Sequence, residues 1–372
     1  MTKAELNVKI FEGTAGKQVL FQPRIECWYG DKLFLGEELP GGLAGMSKPD
    51  MYRALDVSER IYDYGWNCFE RIVDPSVRFE EKKTGPNEMT YITHTPIGSV
   101  STVLRSNTSN PGTYYTKWQL ETAEDIRVKT YVDEATDWKF RMDGYNNTYA
   151  EWGDIGAPTM YIARTPYQEA VVETMGVENT AYALADEPEL VERYFDAVEE
   201  RNIRLIREIN KSPIRIINYG DNIHCAITPP YYMEKYILPV YERRRPLLKA
   251  AGKFIHAHWD GDVKTILKYL PNAHLDGIEA LTPFPQGDVS LEEIRDAVGD
   301  KLVLLDGIAA LLFNDNYPES QLIDQVHQLI EYFAGRLILG ISDEMPSQGN
   351  IERVRLVRDI VNEYNRKAEG AV

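Results

Sequence analysis

Lys253-Phe-Ile-His-Ala-His-Trp-Asp-Gly-Asp262 is an apolar run that ends in two histidines and then a turn. Strand side chains alternate between faces, so His256 and His258 point the same way from the mouth of a strand. Two other strand-like runs also end in carboxylates, Leu275-Asp-Gly-Ile-Glu279 and Arg336-Leu-Ile-Leu-Gly-Ile-Ser-Asp-Glu344. Paired imidazoles with nearby carboxylates suit a borderline cation such as zinc. These separated residues become one site only in a fold that gathers several strand ends in one place.

The flanking sequence predicts such a fold. Asp186-Glu-Pro-Glu opens a helix with acidic residues in its first turn, where they suit the dipole, and that helix runs to Ile209. Strand and helix then alternate: strand 214–218, helix 231–251, strand 254–258, helix 263–270, strand 277–280, helix 291–298, strand 302–305, helix 320–333, strand 337–341 and helix 351–368. Upstream, 51–64 and 121–134 read as helices. The stretch between about Ile72 and Leu104 is β-like, with Thr84-Gly-Pro-Asn87 and Pro96-Ile-Gly98 as turns. Five strand-helix units, with three more strands before residue 170, predict a closed α/β architecture, the (β/α)8 TIM barrel. It forms a single domain over 1–372, with an N-terminal extension at 1–22 and a β-hairpin insertion at about 80–118. Barrel active sites lie at the C-terminal strand ends, where Asn218, Asp221, His256, His258, Glu279 and Asp343 fall.

Composition narrows the function. The 372 residues are 43% hydrophobic and 27% charged, enough for a large core. Lys and Arg number 41 against 58 Asp and Glu, and a formal charge of -17 disfavours a broad grip on nucleic acid or anionic membrane. Three cysteines, Cys27, Cys68 and Cys225, without paired spacing point to a reducing cytoplasm. Met-Thr-Lys-Ala-Glu-Leu shows no signal-peptide pattern, and no run approaches the roughly 18 apolar residues of a spanning helix. A soluble cytoplasmic protein is the expectation.

Thr165-Pro-Tyr-Gln-Glu-Ala170 followed by Glu173-Thr-Met-Gly176, Leu184-Ala-Asp-Glu-Pro-Glu-Leu-Val-Glu192, Tyr219-Gly-Asp-Asn222 and Ala250-Ala-Gly-Lys-Phe-Ile-His-Ala-His-Trp-Asp-Gly261 resemble segments of the uroporphyrinogen decarboxylase superfamily. The resemblance runs from about Phe21 to Asn365. It implies a (β/α)8 barrel and one of two chemistries, porphyrinogen decarboxylation or cobalamin-dependent methyl transfer. The decarboxylases carry Arg-Gln-Ala-Gly-Arg-Tyr on the first strand to bind many carboxylates. Pro23-Arg-Ile-Glu-Cys-Trp-Tyr-Gly30 has one Arg and an acidic residue instead, which repels such a substrate. The methyltransferase branch binds zinc through His-x-Cys after strand five and a Cys in a Cys-Gly-x-Pro-like turn after strand eight. Here these positions are similar to His256-Ala-His258 and Asp343-Glu-Met-Pro346, and Glu279 ends strand six. The resemblance therefore implies a metal site of His256, His258, Glu279 and Asp343, with Glu344 as the alternative to Asp343. Nitrogen and oxygen replace both thiolates, which moves the chemistry from thiol activation toward a harder Lewis acid.

The function expected from this resemblance is that of a zinc-dependent methyltransferase of O-demethylase type. A methyl group passes from a small methylated donor, an aryl methyl ether given 23 Tyr and 6 Trp, to the cobalt(I) of a corrinoid on a separate protein. His256, His258 and Glu279 are the catalytic residues in this reading. Trp28, on one face of the first strand with Glu26, and Asn218 and Asp221 past strand four are the substrate-binding candidates. A homodimer is compatible with it. Each residue has a structural alternative: the histidines as hydrogen-bonded residues of the barrel's top layer, Glu279 as a carboxylate orienting an imidazole, and Asn218 and Asp221 as an Asx-type turn. Asp260 and Asp262 read as turn or N-cap groups for a helix starting near Val263, with Asp262 the cap. Two other functions remain open, a decarboxylase of a smaller acid, which would want more arginines at strand ends than Arg24 and Arg164, and a non-catalytic corrinoid-handling protein.

Overall fold

The computed structural model describes residues 1–370. In chain order its strands are β1 (Leu20–Phe21), β2 (Phe69–Val73), β3 (Arg78–Gly85), β4 (Glu88–Thr95), β5 (Gly98–Ser106), β6 (Thr113–Lys117), β7 (Thr136–Phe140), β8 (Thr159–Ile162), β9 (Ile216–Ile223), β10 (Phe254–Trp259), β11 (Gly277–Glu279), β12 (Val303–Ala309) and β13 (Leu337–Ser342). Seven of them form one all-parallel sheet in the order β1-β13-β12-β11-β10-β9-β8. Parallel strands covered on both faces need unbroken apolar runs. Leu337-Ile-Leu-Gly-Ile-Ser342 and Val303-Leu-Leu-Asp-Gly-Ile-Ala309 are such runs, and every residue in them is buried.

The sheet curls but is not closed by an eighth regular strand. β1 and β8 are its edges, and the segment 57–61 crosses the gap between them. Ser58 donates its N–H to the Phe21 carbonyl at 3.0 Å, and Ile61 forms a parallel bridge to Pro158. Pro158 has no N–H, and Pro23 follows soon after the two-residue β1, so neither edge can extend its ladder there.

A helix at Lys3–Glu12, fixed by a Thr2/Glu5 capping box, covers the N-terminal end of the sheet. Its Leu6, Ile10 and Phe11 pack with Leu20, Ile216, Val303, Leu305 and Ile338. The long helix Pro188–Ile209 buries Val191, Tyr194, Phe195, Val198, Leu205 and Ile209 on one face, the spacing of an amphipathic surface helix. β3 to β6 form a separate antiparallel sheet in sequence order, and β2 pairs with β7.

Several local expectations are corrected. The helix expected over 51–64 is two, Lys48–Leu55 and Asp63–Cys68, because Asp56 turns left-handed at φ 55° and ends the first. The first strand stops at Phe21, and Glu26 and Trp28 lie on the helix Glu26–Phe34. No α-helix forms over 263–270; a 3-10 turn at Leu267–Asn272 takes its place around Pro271. Asp262 is not its cap. Asp288 from the next loop instead accepts from the N–H groups of Val263, at 2.9 Å, and Lys264. Among the described residues no helix is long and apolar enough to cross a membrane.

Candidate active site at the strand ends

Register brings the central residues together. His258 pairs with Glu279 across β10 and β11, and His256 pairs with Asn218 across β10 and β9. All four are buried and face the interior of the curl. The Oε1 atom of Glu279 lies 2.8 Å from His258 Nδ1 and accepts from Asn218 Nδ2 at 2.8 Å. Its Oε2 accepts from Arg60 Nη1 at 2.6 Å and from the Tyr62 hydroxyl at 3.2 Å. Arg60 also forks onto Asp306, with Nη2 to Oδ1 at 2.7 Å. Arg24 Nη1 stands 3.8 Å from Glu279 Oε1, while its Nη2 donates to Glu344 at 2.9 Å.

The sequence reading missed Arg60, Tyr62 and Asp306. Arg60 and Tyr62 were hidden inside a supposed helix. Asp306 carried a usable signal, a lone charge inside Val303-Leu-Leu-Asp-Gly-Ile-Ala309. Such a charge needs a buried partner, here Arg60. Gly340 on the next strand makes room for it: a Cβ there would stand 2.5 Å from Asp306 Oδ1. Asp306, Ala280 and Asp343, on or just after three neighbouring strands, all hold positive φ, at 74°, 66° and 68°. Backbone of that kind is costly for residues with a Cβ and gathers at functional sites.

Charge is unevenly distributed in the cluster. Burial alone would raise the Glu279 carboxyl, but the charge of Arg60, the nearby His256 imidazole and the hydrogen bond with His258 hold it well below its usual range. Burial keeps His256 neutral, lowering its pKa. His258 is the opposite: burial opposes its charge, yet the carboxylates of Asp260 and Glu279 outweigh it and push its pKa up to about 9. It is therefore an imidazolium at neutral pH, with Nε2 toward Asp260 at 3.9 Å. Glu344 is pushed up to about 8 by burial and by the neighbouring Glu26.

Of the expected metal ligands, His256, His258 and Glu279 are neighbours and Asp343 is exposed on the far side of Ser342. Glu344, not Asp343, turns inward, and it binds Arg24. The three that meet do not fit zinc. Glu279 already accepts from four groups, and two guanidinium ions stand where a dication would have to approach. His256 lies deeper, its ring 6.1 Å from Phe11 of the N-terminal helix, and its Nδ1 is 3.3 Å from Glu279 without hydrogen-bond alignment. Among the described residues no group of three or more His, Cys, Asp or Glu is arranged to hold a metal ion.

The substrate-binding candidates separate in the same way. Asn218 belongs to the cluster. Asp221 is engaged by Thr165 and by Tyr241, whose hydroxyl donates at 2.8 Å, and no hydrogen bond joins it to Glu279. Trp28 is fully buried and donates Nε1 to the Gly349 carbonyl at 3.1 Å, a packing role.

No family model matches the chain, and no curated protein matches it. A solved structure described as a methyltransferase from Methanosarcina mazei superposes on it with a TM-score of 0.57 and 11% identity, covering 98% of this chain and 99% of that one. The fold is therefore shared from end to end. Two other solved structures match at a TM-score of 0.28 and 12% identity, too weakly to bear on the fold. They are a ribulose-1,5-bisphosphate carboxylase/oxygenase from Pyrococcus horikoshii (67% of this chain, 49% of that one) and a 3-dehydroquinate dehydratase from Geobacillus kaustophilus (66% and 78%).

Proposed function

We propose that this chain is a methyltransferase of the cobalamin-dependent branch of the uroporphyrinogen decarboxylase superfamily. In this reading the 57–61 segment stands as the irregular second strand of an eight-fold barrel. The protein takes a methyl group from a small O-methylated donor and passes it to a corrinoid carried on a separate protein. The observation that carries the reading is the buried charge cluster centred on Glu279 at the C-terminal strand ends, in a fold shared along its whole length with a protein described as a methyltransferase.

The corrinoid, when its carrier docks, supplies the cobalt(I) nucleophile. It would meet the strand-end rim, the face that carries the Glu279 cluster. The chain's own residues meet the developing charge on the leaving oxygen. Glu279 fixes the ring of His258 through Nδ1, which leaves the Nε2 proton as the one available to a leaving oxygen. Arg60, Asn218 and Tyr62 keep Glu279 ionised and in place. No step is assigned to zinc.

The test is spectroscopic. Purified protein mixed with a methoxyphenol and chemically reduced free cobalamin should consume the cobalt(I) absorbance only when both protein and ether are present. An unchanged spectrum under these conditions would remove the reading. Metal analysis run alongside decides the zinc question: a stoichiometric ion lost in the His256→Ala, His258→Ala double variant restores the metal-dependent scheme.

A further inference from the structure

Arg24 carries a feature that ordinary packing leaves unexplained. Its side chain is 10% exposed, and its Nη1 is buried without a hydrogen-bond partner. A buried N–H without an acceptor costs about 1–3 kcal/mol, and a charged one more. Nη2 is already bound to Glu344, so the guanidinium is held in position with one donor to spare. That donor stands 3.8 Å from Glu279 Oε1, the oxygen that also faces His258 Nδ1 at 2.8 Å, which places Arg24 and His258 on the same side of one carboxylate. At 3.8 Å the contact with Glu279 is too long to satisfy the N–H. No side-chain oxygen from the helix side takes its place either: Glu26 and Glu59 lie nearby, and neither forms a hydrogen bond to Nη1.

We propose that Arg24 Nη1 binds the oxygen atom from which the methyl group departs, so that the donor is an O-methyl compound whose oxygen leaves as an anion, an aryl ether giving a phenolate. This rests on the methyl-transfer reading above for its chemistry. The methyl–oxygen bond breaks with its electron pair left on oxygen, while the cobalt(I) nucleophile supplies the pair for the new bond to carbon. The guanidinium is charged at every accessible pH, so it meets the new negative charge without a proton having to move first. This is the preorganised electrophile that catalysis of such a displacement requires, held in place before the charge appears. Methylated amines and thioethers gain nothing from it, because an amine leaves neutral and a sulfur anion is a poor partner for a hard N–H donor.

The direct probe is 4-nitrophenol, whose yellow anion reports its own ionisation and which contains no methyl group. At a pH below its solution pKa, the wild-type protein should bind it as the phenolate, raising the ratio of bound phenolate to bound phenol about tenfold or more, equivalent to a shift of one pH unit. Arg24→Gln should bind the phenol without ionising it, and Arg24→Lys should restore part of the colour. A wild-type protein that ignores the probe, or an Arg24→Gln variant that ionises it equally well, overturns the assignment. Should Arg24→Gln not fold, Arg24→Lys keeps the question open to refutation: it retains a cation but not the planar fork, so the bound anion fraction must fall below that of the wild type, and a variant that ionises the probe as fully as the wild type refutes the role. Failure of the cobalamin assay with an intact phenolate signal would instead remove the methyl-transfer reading and leave the oxyanion site standing.

Discussion

Two buried networks of carboxylates and guanidinium groups occupy this molecule, and only one of them looks finished. In the helical layer, Glu169 and Asp133 meet Arg201 and Lys129. Arg201 Nη1 lies 2.7 Å from Asp133 and 3.1 Å from Glu169, and Lys129 Nζ lies 2.6 Å from Asp133 and 3.3 Å from Glu169. Two negative charges face two positive ones, and no polar atom of these four side chains is left buried without a partner. At the strand ends, Glu279 and Asp306 meet Arg60, Arg24 and His258, yet Arg24 Nη1, Asn218 Oδ1 and both ring nitrogens of His256 are buried and unpaired. Asp306 in the cluster, and Ala280 and Asp343 at the ends of the flanking strands, also hold unfavourable backbone. A network that serves stability can close on itself; one that awaits a ligand keeps donors and acceptors in reserve.

The largest effect that separates them falls on activity. His258→Ala removes the proposed acid while Glu279 keeps Arg60, Asn218 and Tyr62, so kcat/KM should fall by roughly 10²–10⁴ with the fold retained. A variant that keeps full activity, or one that unfolds, would make the strand-end cluster as structural as the other. Next comes Arg201→Met, which strips the cation from two buried carboxylates and should cost about 3–5 kcal/mol in denaturant unfolding. The fraction that stays folded should turn over normally. A specific loss of activity there would erase the contrast from the other side.

Sequence made the strand-end side of this contrast partly visible and the helical side hardly at all. The histidine pair and Glu279 could be read because period-two alternation on β10 and the ends of apolar runs fix both face and height in a parallel sheet. From Leu291 onward the helices and strands lie close to where periodicity puts them, since amphipathic spacing and unbroken apolar runs are local signals. What failed were features decided by distant partners. The 57–61 segment reads as helix because Ile61 and Tyr62 continue the spacing of Tyr52 and Leu55, and only its bonds to Phe21 and Thr159 show otherwise. Asp288 capping a loop 25 residues upstream leaves no mark in the sequence between them. Asp343 and Glu344 could not be ranked because the turn after β13 re-aims them, and φ 68° at Asp343 sends the next carboxylate inward to Arg24.

The smallest of the three effects, and the sharpest in sign, is pH. His258 has a folded pKa raised to about 9 from its ordinary 6.5, so its contribution to stability is fully present below about 6.5 and is lost as pH rises through about 9. Glu169 runs the other way. Burial would raise it, but Arg201 and Lys129 outweigh burial and bring it down to about 2. Its contribution is therefore present above about 4.5 and is lost as pH falls through about 2. The His258 contribution should be lost in alkali and the Glu169 contribution in acid, each by about 1–3 kcal/mol in urea unfolding followed across pH, while Glu279, held well below its usual range, adds an acid loss at the strand ends as well. Glu344, raised to about 8 on the other side of Arg24, titrates inside the alkaline window. The quantity to compare is accordingly the difference between wild type and variant. His258→Gln should flatten the alkaline limb, and Glu169→Gln should flatten the acid limb while leaving the alkaline one as in wild type. If His258→Gln instead leaves the alkaline limb untouched, that imidazole is neutral in the folded protein, and the proton assigned to the leaving oxygen must come from another group.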